Sequence, residues 1–435
     1  MTTPANAGSE PSRRLRRGED ADGGTERDLR TILWIQAIRA FLYGLGSVLI
    51  GTALARGGLT DAQVGLVFGA ILAGMAISSI VVGAVGERIG RRRTYIGLLV
   101  LVGVAGTVFA VTLSVPALVA ASLTGCLSTD PNESGPITSI EQAMIGQAPA
   151  STRARVFGRY NAIAYVAGAI GALSGAVPAL LGVEEQRFLL AFPALALVAA
   201  ALASTITDGM EVRRAGTTAE RSERAAPPPL SRSRRTVVRL GALFALDSFA
   251  GGFVVQSFVV FWFGRTFGAS TEEMSLVFFA SGLLQAASSV LAGRAAARFG
   301  MLNTMVFTHL PSNVLLMLVP LAPSLTSAVA LWLARASLSQ MDVPARQAFV
   351  VALVDPEERL AASAFTNTAR YLSRPVAPVI AGSLMRTAAG APFFVAGGLK
   401  VVYDLILFAS FRKVPLPEQR PDHAPTSLRE GTKPS

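Results

Sequence analysis

The chain has 435 residues, of which 51% are hydrophobic and 15% charged, and its mean hydropathy is +0.49. A chain this apolar has more nonpolar surface than soluble domains of ordinary size can bury, so lipid is expected to be its solvent. A net charge of +11 does not indicate nucleic acid, because the arginines form short runs between apolar stretches, and one cysteine and two histidines exclude a disulfide framework and a structural zinc site.

Twelve apolar segments follow a polar N-terminal tail. The tail contains Gly, Ser, Pro and charges but no apolar core, so it is expected to be solvated and not to be a cleaved signal. A helix needs roughly 20 apolar residues to cross about 30 Å of hydrocarbon. By this criterion predicted helices 1 to 12 lie near residues 32–55, 62–85, 95–114, 116–146, 157–181, 188–206, 237–263, 272–293, 302–322, 325–354, 359–385 and 391–411. Predicted helix 4 contains a stretch typical of a loop, and is expected to be broken there, with Asp130 and Glu133 solvated.

The two halves of the sequence repeat each other. The triplet Leu-Val-Phe at 66–68 recurs at 276–278, 210 positions later, and Arg153 recurs at Arg359, 206 positions later. A duplicated set of six spans predicts an all-α membrane protein with twelve transmembrane helices in two pseudo-symmetric six-helix bundles, the architecture of two-lobed secondary transporters. The expected domains are a tail at 1–30, an N-terminal lobe at 31–207, a linker at 208–236, a C-terminal lobe at 237–412 and a second tail at 413–435.

The distribution of basic residues predicts the orientation in the membrane. Most of the 39 Lys and Arg residues lie in the tails, the linker and the connections after predicted helices 2, 4, 8 and 10. The positive-inside rule places these segments in the cytoplasm. We therefore expect a multi-pass, monomeric protein of the cytoplasmic (inner) membrane, in contact with lipid, with both termini cytoplasmic.

The connection after predicted helix 2 combines glycines with an acid and several arginines. We interpret this set and its second copy as a conformational latch, in which glycines allow a close helix approach and a tight turn and the acid binds arginines in one conformation only. The alternative is that the basic residues only fix the topology. The latch residues are Gly83, Glu87, Arg88, Gly90 and Arg91, with Gly293, Arg298 and Gly300 in the second copy, where Ala297 takes the place of the acid.

This connection resembles the signature loop of the major facilitator superfamily, in which a Gly, three residues, an acid, an Arg, one residue and a Gly precede basic residues. Glu87 stands where the family usually has Asp. The resemblance covers roughly residues 30–412 and implies an alternating-access carrier, in which two lobes rock about a central site. The run MDVPARQ at 341–347 is similar to an uncharacterised bacterial branch of that superfamily, which implies no substrate.

Ionisable residues inside the predicted helices indicate a functional site, because each costs at least about 2.5 kcal/mol in the membrane unless paired or hydrated. Arg39 in helix 1 and Asp247 in helix 7 lie on helices that face each other across the cavity in the superfamily fold, so they are candidates for an interlobe ion pair. Asp247 is the leading candidate for proton coupling, the alternative being a permanent salt bridge to Arg39 or Arg370. Glu141 aligns with Gln347 in the repeat and is a second protonation candidate.

Predicted helices 10 and 11 each carry two ionisable residues four positions apart, a spacing that places both on one helix face. Asp342 and Arg346, with Pro344 between them, form either a gating or binding pair or an internally neutralised one. Arg370 and Arg374 need acids or an anion; the candidate partners are Asp247 and Asp342, and the alternative is an anionic substrate. The substrate-cavity candidates are Arg39, Asp342, Arg346, Arg370 and Arg374.

Three further features receive a structural interpretation. Lys400 and Asp404 in predicted helix 12 have the same four-residue spacing and are expected to neutralise each other. His309 is expected to be packed and hydrogen-bonded. Small residues let membrane helices pack closely, which accounts for Gly168 and Gly171 in predicted helix 5, although drug-proton antiporters of the superfamily carry a related glycine and proline motif here.

No sequence motif indicates an enzyme. The chain contains no GxxxxGK[ST] loop, no HExxH and no nucleophile with an identifiable base, so ATP-driven pumping is also disfavoured. We expect a secondary transporter of a small organic solute, coupled to protons, without a cofactor or a nucleic-acid partner, and with export favoured. The alternatives are a proton-coupled importer of a small organic anion and a non-transporting membrane sensor or assembly protein. Buried charges that line one central cavity would favour a transporter over the last of these.

Overall fold

The computed structural model describes residues 10–128, 135–145, 150–207, 233–354 and 358–414. Within these ranges the regular secondary structure is helical and contains no strand, which confirms the predicted all-α class. Asp130 and Glu133, most of the expected linker, residues 1–9 of the N-terminal tail and most of the C-terminal tail lie outside the described residues.

Six helical segments form the N-terminal lobe, and three of them are made of shorter pieces because a loop, a turn or a proline interrupts them. They are α1 (Glu10–Arg56), α2 (Asp61–Ile89), α3 (Arg91–Val111), α4 (Val115–Leu123 and Pro136–Ile145), α5 (Ala150–Leu173, Ser174–Ala176 and Val177–Leu181) and α6 (Glu185–Phe188 and Ala191–Ser204).

Six corresponding segments form the C-terminal lobe. They are α7 (Arg234–Gly252 and Gln256–Phe267), α8 (Thr271–Phe299), α9 (Met301–Leu318 and Val319–Leu321), α10 (Leu325–Leu338 and Asp342–Leu353), α11 (Arg359–Ser373 and Val376–Met385) and α12 (Ala391–Phe411). Among the described residues, nine segments are long and apolar enough to cross a membrane unaided. The other three, α4, α10 and α11, complete the predicted twelve.

The packing of the helices follows the sequence repeat. In the N-terminal lobe α1 packs on α5 and α3 on α6, and in the C-terminal lobe α7 packs on α11 and α9 on α12. The starts of α2 and α8 are equivalent as well, since Thr60 and Ser270 each cap their helix with a capping box. The two predicted six-helix bundles are thus pseudo-symmetric in structure and in sequence.

Between the lobes, α2 packs on α11, α5 on α8, and α1 on the second piece of α7. Small residues set the distance between α2 and α11. A Cβ atom added at Gly382 would lie 2.2 Å from the carbonyl oxygen of Asp61, and one added at Gly65 would lie 2.4 Å from that of Pro378. These contacts lie on the side of the α1–α2 and α7–α8 connections, which we call the distal side.

Glycine also sets the packing inside the N-terminal lobe. A Cβ atom at Gly44 would lie 1.9 Å from the carbonyl oxygen of Gly168, and one at Gly171 would lie 2.0 Å from that of Phe41. No side chain larger than hydrogen fits between α1 and α5 at these points. The packing interpretation of the α5 glycines is therefore confirmed.

Candidate substrate cavity

A cavity of about 970 Å³ lies between the two lobes. Its walls come from α1, α2, α4 and α5 on one side and from α7 to α12 on the other. The lining residues of α2 and α8 belong to the middle of each helix and to the half that ends at the α2–α3 and α8–α9 connections, which we call the proximal side. The cavity therefore extends from the centre of the molecule toward the proximal side.

Polar contacts join the lobes on the distal side of this cavity. The Arg265 guanidinium lies 3.6 Å from the Asp61 carboxylate, and the Thr271 hydroxyl donates a hydrogen bond of 2.6 Å to Glu185. Nearer the centre, the amide of Gln256 in α7 donates to the Ser47 hydroxyl in α1 at 2.7 Å. Together with the glycine contacts of α2 and α11, these bonds close the molecule on the distal side.

A buried ion pair holds α1 to α4 in the N-terminal lobe. The Arg39 guanidinium lies 2.8 Å from the Glu141 carboxylate, and their side chains are 3% and 0% exposed. Tyr95 and Tyr160 donate hydrogen bonds of 2.7 and 2.5 Å to the same carboxylate, and Arg39 also donates to Gln36. The two charges neutralise each other and three further polar groups bond to them, which stabilises a buried ion pair, although the Arg39 Nε atom has no partner.

The C-terminal lobe contains a larger buried cluster centred on Asp247 of α7. The Lys400 ammonium lies 2.6 Å from this carboxylate, the Arg346 guanidinium 3.4 Å and the His309 ring 3.8 Å. Arg346 also lies 3.0 Å from Asp342, one helical turn away. One carboxylate thus connects four helices, α7, α9, α10 and α12.

A second carboxylate, Asp404, anchors the histidine of this cluster. The His309 Nδ1 atom lies 2.9 Å from Asp404, and the Asn313 amide donates to the same carboxylate at 3.1 Å. The prediction that His309 is packed and hydrogen-bonded is confirmed. The predicted pairing of Lys400 with Asp404 is wrong, because Asp247 and His309 reach these two side chains from neighbouring helices and replace the pair within α12.

The predicted interlobe pair of Arg39 and Asp247 is also absent, since each finds partners in its own lobe. At this level the cavity separates Arg39 from Asp247. Glu141 of α4 lies within hydrogen-bonding reach of Arg39, and Arg346 of α10 lies within reach of Asp247. The two lobes use equivalent helices with the charges reversed. In the N-terminal lobe α1 supplies the base and α4 the acid, and in the C-terminal lobe α7 supplies the acid, Asp247, and α10 the base, Arg346.

The predicted substrate-cavity residues Arg39, Asp342, Arg346, Arg370 and Arg374 line the cavity, as does Asp247. The expected pairing of Arg370 with Asp247 or Asp342 is not formed, because Lys400 and Arg346 already occupy those carboxylates. The Arg370 side chain makes no hydrogen bond or ion pair with the described residues, and its Nε atom is buried without a partner. Glu141 lies behind Arg39 and does not line the cavity.

The latch residues lie at the proximal side. Gly90 and Gly300 adopt φ values of 104° and 84°, which favour glycine, so the tight turns predicted there are present. A Cβ atom placed at Gly83 or at Gly293 meets nothing within 4 Å, so the close helix approach predicted for Gly83 is not formed in the described conformation. The lobes are apart at this end of the molecule, which leaves these glycines in open space.

The charged latch residues make contacts within their own lobes. Arg91 donates to the carbonyl oxygen of Ala143 at 3.4 Å, and the Arg298 guanidinium lies 5.4 Å from the centroid of the Phe299 ring. Arg88 is exposed, and the side chain of Glu87 lies outside the described part of the structure. The role of these residues as a latch stays a prediction.

Tyr95 and Tyr160 are site residues that the sequence did not identify, and Lys400 was assigned the wrong partner. Each tyrosine places its hydroxyl on Glu141 at the end of an otherwise apolar helix face. A polar atom on an amphipathic ring in an apolar segment is the signal that could have identified them. This signal does not indicate which residue the hydroxyl contacts, because the three-dimensional packing of the helices selects the partner.

Two pseudo-symmetric six-helix lobes around a central polar cavity define a transporter fold. The sequence model described as the Major Facilitator Superfamily matches residues 32–265 and again residues 241–434. The chain therefore belongs to the major facilitator superfamily. This membership indicates a transporter and not an enzyme.

Known structures and a yeast protein resemble the whole chain. The D-xylose-proton symporter aligns with a TM-score of 0.71 and 17% identity, covering 90% of this chain and 99% of its own. The nucleoside transporter NupG aligns with a TM-score of 0.68 and 14% identity, covering 88% and 99%. An uncharacterized membrane protein of Saccharomyces cerevisiae (strain ATCC 204508 / S288c) is 24% identical over 422 residues, covering 88% of this chain and 94% of its own. At these identities the solved structures establish the fold alone.

Proposed function

We propose that this protein is a proton-coupled secondary transporter that carries a small organic solute by alternating access in the cytoplasmic membrane. The observation that carries the proposal is the cavity between the lobes, which is closed on the distal side and has the ion-paired Asp247 in its wall. With the termini in the cytoplasm, as the basic residues indicate, the described conformation faces inward. Buried charges that line a central cavity favour a transporter over a sensor or assembly protein.

Asp247 is the group to which we assign the coupling proton. It lines the cavity, whereas Glu141 is shielded by Arg39 and Tyr160. A proton that neutralises Asp247 removes the attraction that holds Lys400 at 2.6 Å. Lys400 can then turn toward Asp404, one helical turn further along α12, and loosen the bonds that tie α12 to α7. Proton binding would in this way favour one arrangement of the helices over another, as coupling requires.

The direction of transport is not part of this proposal. The partial glycine and proline motif of α5 favours export. However, close packing of α1 against α5 explains Gly168 and Gly171 without any role in export. The same rocking cycle runs in either direction under a suitable gradient. The direction of transport is therefore measured in vesicles that contain the solute either inside or outside.

Replacement of Asp247 by asparagine is expected to abolish solute-driven proton movement. The full chain is reconstituted in vesicles containing a pH-sensitive dye, and small sugars, nucleosides, amino acids and organic acids are added one at a time. We expect at least one solute to change the internal pH with the native chain and with Asp247→Glu, and none to do so with Asp247→Asn. The neutral amide can neither bind nor release the proton.

Two controls separate a loss of coupling from a loss of folding. The Asp247→Asn protein should elute as a single species in detergent, and it should still exchange labelled solute across the membrane without a gradient. The double variant Asp247→Asn with Lys400→Met removes the unpaired ammonium that the single variant leaves buried. Undiminished solute-driven proton movement in Asp247→Asn would remove Asp247 from the coupling mechanism.

A further inference from the structure

We propose that the substrate is a small organic anion and that Arg370 binds its carboxylate or phosphate group. This inference rests on the proposed transport function and names its substrate class. Three features of the described cavity point to it: its charge balance, the one described lining arginine whose side chain has no hydrogen-bond or ion-pair partner, and the chemistry of the facing wall.

The wall of the cavity that the C-terminal lobe contributes carries more positive than negative charge. Only Asp247 and Asp342 among the lining residues of this lobe are acids. Behind the wall, Asp404 is already bonded to His309 and Asn313. The cations that line the same wall are Arg335, Arg346, Arg370, Arg374 and Lys400.

The existing ion pairs determine which cation is left over. Lys400 is held by Asp247, and Arg346 lies between Asp247 and Asp342. These contacts use both acids of the wall. The side chain of Arg370, on α11, has neither a hydrogen bond nor an ion pair with the described residues, and its Nε atom is buried.

A guanidinium in this position requires a counter-charge. Arginine is always protonated and presents a planar fork of donors that matches a carboxylate or phosphate in two hydrogen bonds. Inside a membrane protein an unpaired charge is costly, and such groups mark substrate or ion pathways. Since no acid among the described residues pairs with Arg370, an anion in the cavity is the partner that the arrangement fits.

The described residues of the opposite wall carry no excess charge. Its one arginine, Arg39, is neutralised by Glu141. The other polar groups there are amides and hydroxyls, among them Gln36, Asn161 and Thr138, and the buried Thr138 hydroxyl has no partner. This wall therefore suits a neutral, hydrogen-bonding body attached to the anionic group.

The size of the cavity excludes a bare inorganic ion as the fitting ligand. Sites for drug-sized organic molecules have volumes of about 300–1,000 Å³, and this cavity is at the upper end, at about 970 Å³. A cationic substrate is disfavoured as well, because the two acids of the wall already have cationic partners. A molecule with a carboxylate or phosphate and a hydroxyl- or amide-bearing body fits both walls.

The test compares matched anionic and neutral ligands in equilibrium binding. The purified full chain is titrated with glucose 6-phosphate, glucuronate, gluconate, citrate and benzoate, with glucose and benzamide as neutral counterparts and with inorganic phosphate. Thermal stabilisation is the readout. We expect at least one organic anion to stabilise the protein. At the same concentration, the neutral counterpart of that anion and inorganic phosphate should have no effect.

Substitution of Arg370 then assigns the contact. Arg370→Gln is expected to weaken binding of that anion by about 10- to 100-fold, because charge-assisted hydrogen bonds are lost. Arg370→Lys, which keeps the charge, is expected to weaken binding less. Arg294→Gln makes the same charge change on the exposed surface of α8 and is expected to leave binding unchanged. The native chain's preference for the anion does not depend on whether the variants fold.

Several outcomes would overturn the proposal. In the first, a neutral counterpart stabilises the protein as strongly as the anion does. In the second, none of the organic anions stabilises the protein. In the third, the Arg370→Gln variant binds the anion with the affinity of the native chain. Binding is measured without a gradient, so anion binding without solute-driven proton movement would refute the coupling and leave the substrate class intact. Proton movement driven by a neutral solute would refute the substrate class and leave the coupling intact.

Discussion

Replacement of Gly382 by leucine is expected to shift the protein away from the described conformation. A Cβ atom at this position would lie 2.2 Å from the carbonyl oxygen of Asp61 and 3.0 Å from the Cα atom of Gly65. Both neighbours are backbone atoms of α2, so no side chain can move aside. Overpacking of this kind costs about 1–3 kcal/mol, and separation of α2 from α11 on the distal side removes it.

Gly83, on α2, provides the matched control. A Cβ atom there meets nothing within 4 Å in the described conformation, so Gly83→Leu should be accommodated. If the lobes close on the proximal side when they open on the distal side, the leucine penalises that other conformation. The two substitutions should therefore shift the conformational equilibrium in opposite directions, each by about 5- to 150-fold for a penalty of about 1–3 kcal/mol.

The measurement uses a single cysteine introduced at Ser289, which lines the cavity. The native Cys126 is 1% exposed and is replaced by serine to remove background. The reaction rate with a polar maleimide reports access from the proximal side. The rate should fall in the Gly382→Leu variant and be unchanged or higher in Gly83→Leu. Equal rates in both variants would mean that these glycines do not govern the exchange between conformations.

The fold was predictable from the sequence because the membrane leaves few solutions. Backbone polar groups in hydrocarbon must be satisfied within the segment, so a long apolar stretch can only be a helix. The repeat of Gly90 at Gly300 then specified two equivalent lobes. The break of α10 at residues 339–341 was harder to predict. No glycine or proline occurs in those three positions, and Pro344 comes later.

The partners of the buried charges could be predicted only in part. Asp342 with Arg346 and Lys400 with Asp404 share the four-residue spacing, yet the first pair forms and the second does not. Spacing along a helix fixes which side chains can meet. It cannot exclude a better partner from another helix, and Asp247 of α7 is that partner for Lys400. Longer-range pairing depends on the tilt and rotation of packed helices, which hydropathy does not encode.

Charge reversal between the lobes has a consequence for their energetics. An exchange of acid and base between equivalent helices keeps an acid–base pair in each lobe while it removes the strict equivalence of the two sites. The N-terminal pair, Arg39 and Glu141, is enclosed by Tyr95 and Tyr160. The C-terminal acid, Asp247, faces the cavity and several cations. The first arrangement suits a fixed structural bond and the second a site that exchanges partners.

Removal of one member of the N-terminal pair is therefore expected to destabilise the protein strongly. Glu141→Gln leaves the Arg39 guanidinium, 3% exposed, without a counter-charge. Breaking a buried pair in this way costs about 3–5 kcal/mol, whereas replacing both members by apolar or neutral groups is far less costly. The double variant Arg39→Met with Glu141→Gln should recover much of the lost stability. Unfolding is followed in mixed micelles at equilibrium, with tryptophan fluorescence as the signal.

A surface pair of almost the same length separates the effect of burial from that of the bond itself. Arg187 and Glu184 lie 2.9 Å apart, compared with 2.8 Å for Arg39 and Glu141, but their side chains are 74% and 60% exposed. Water already solvates both charges, so Arg187→Gln is expected to cost at most about 1 kcal/mol. If Glu141→Gln and Arg187→Gln lowered the free energy of unfolding equally, the buried pair would not be the bond that holds α1 to α4. A large loss in the single variant with recovery in the double variant would assign the cost to the unpaired guanidinium, because the tyrosines and the packing are the same in both proteins.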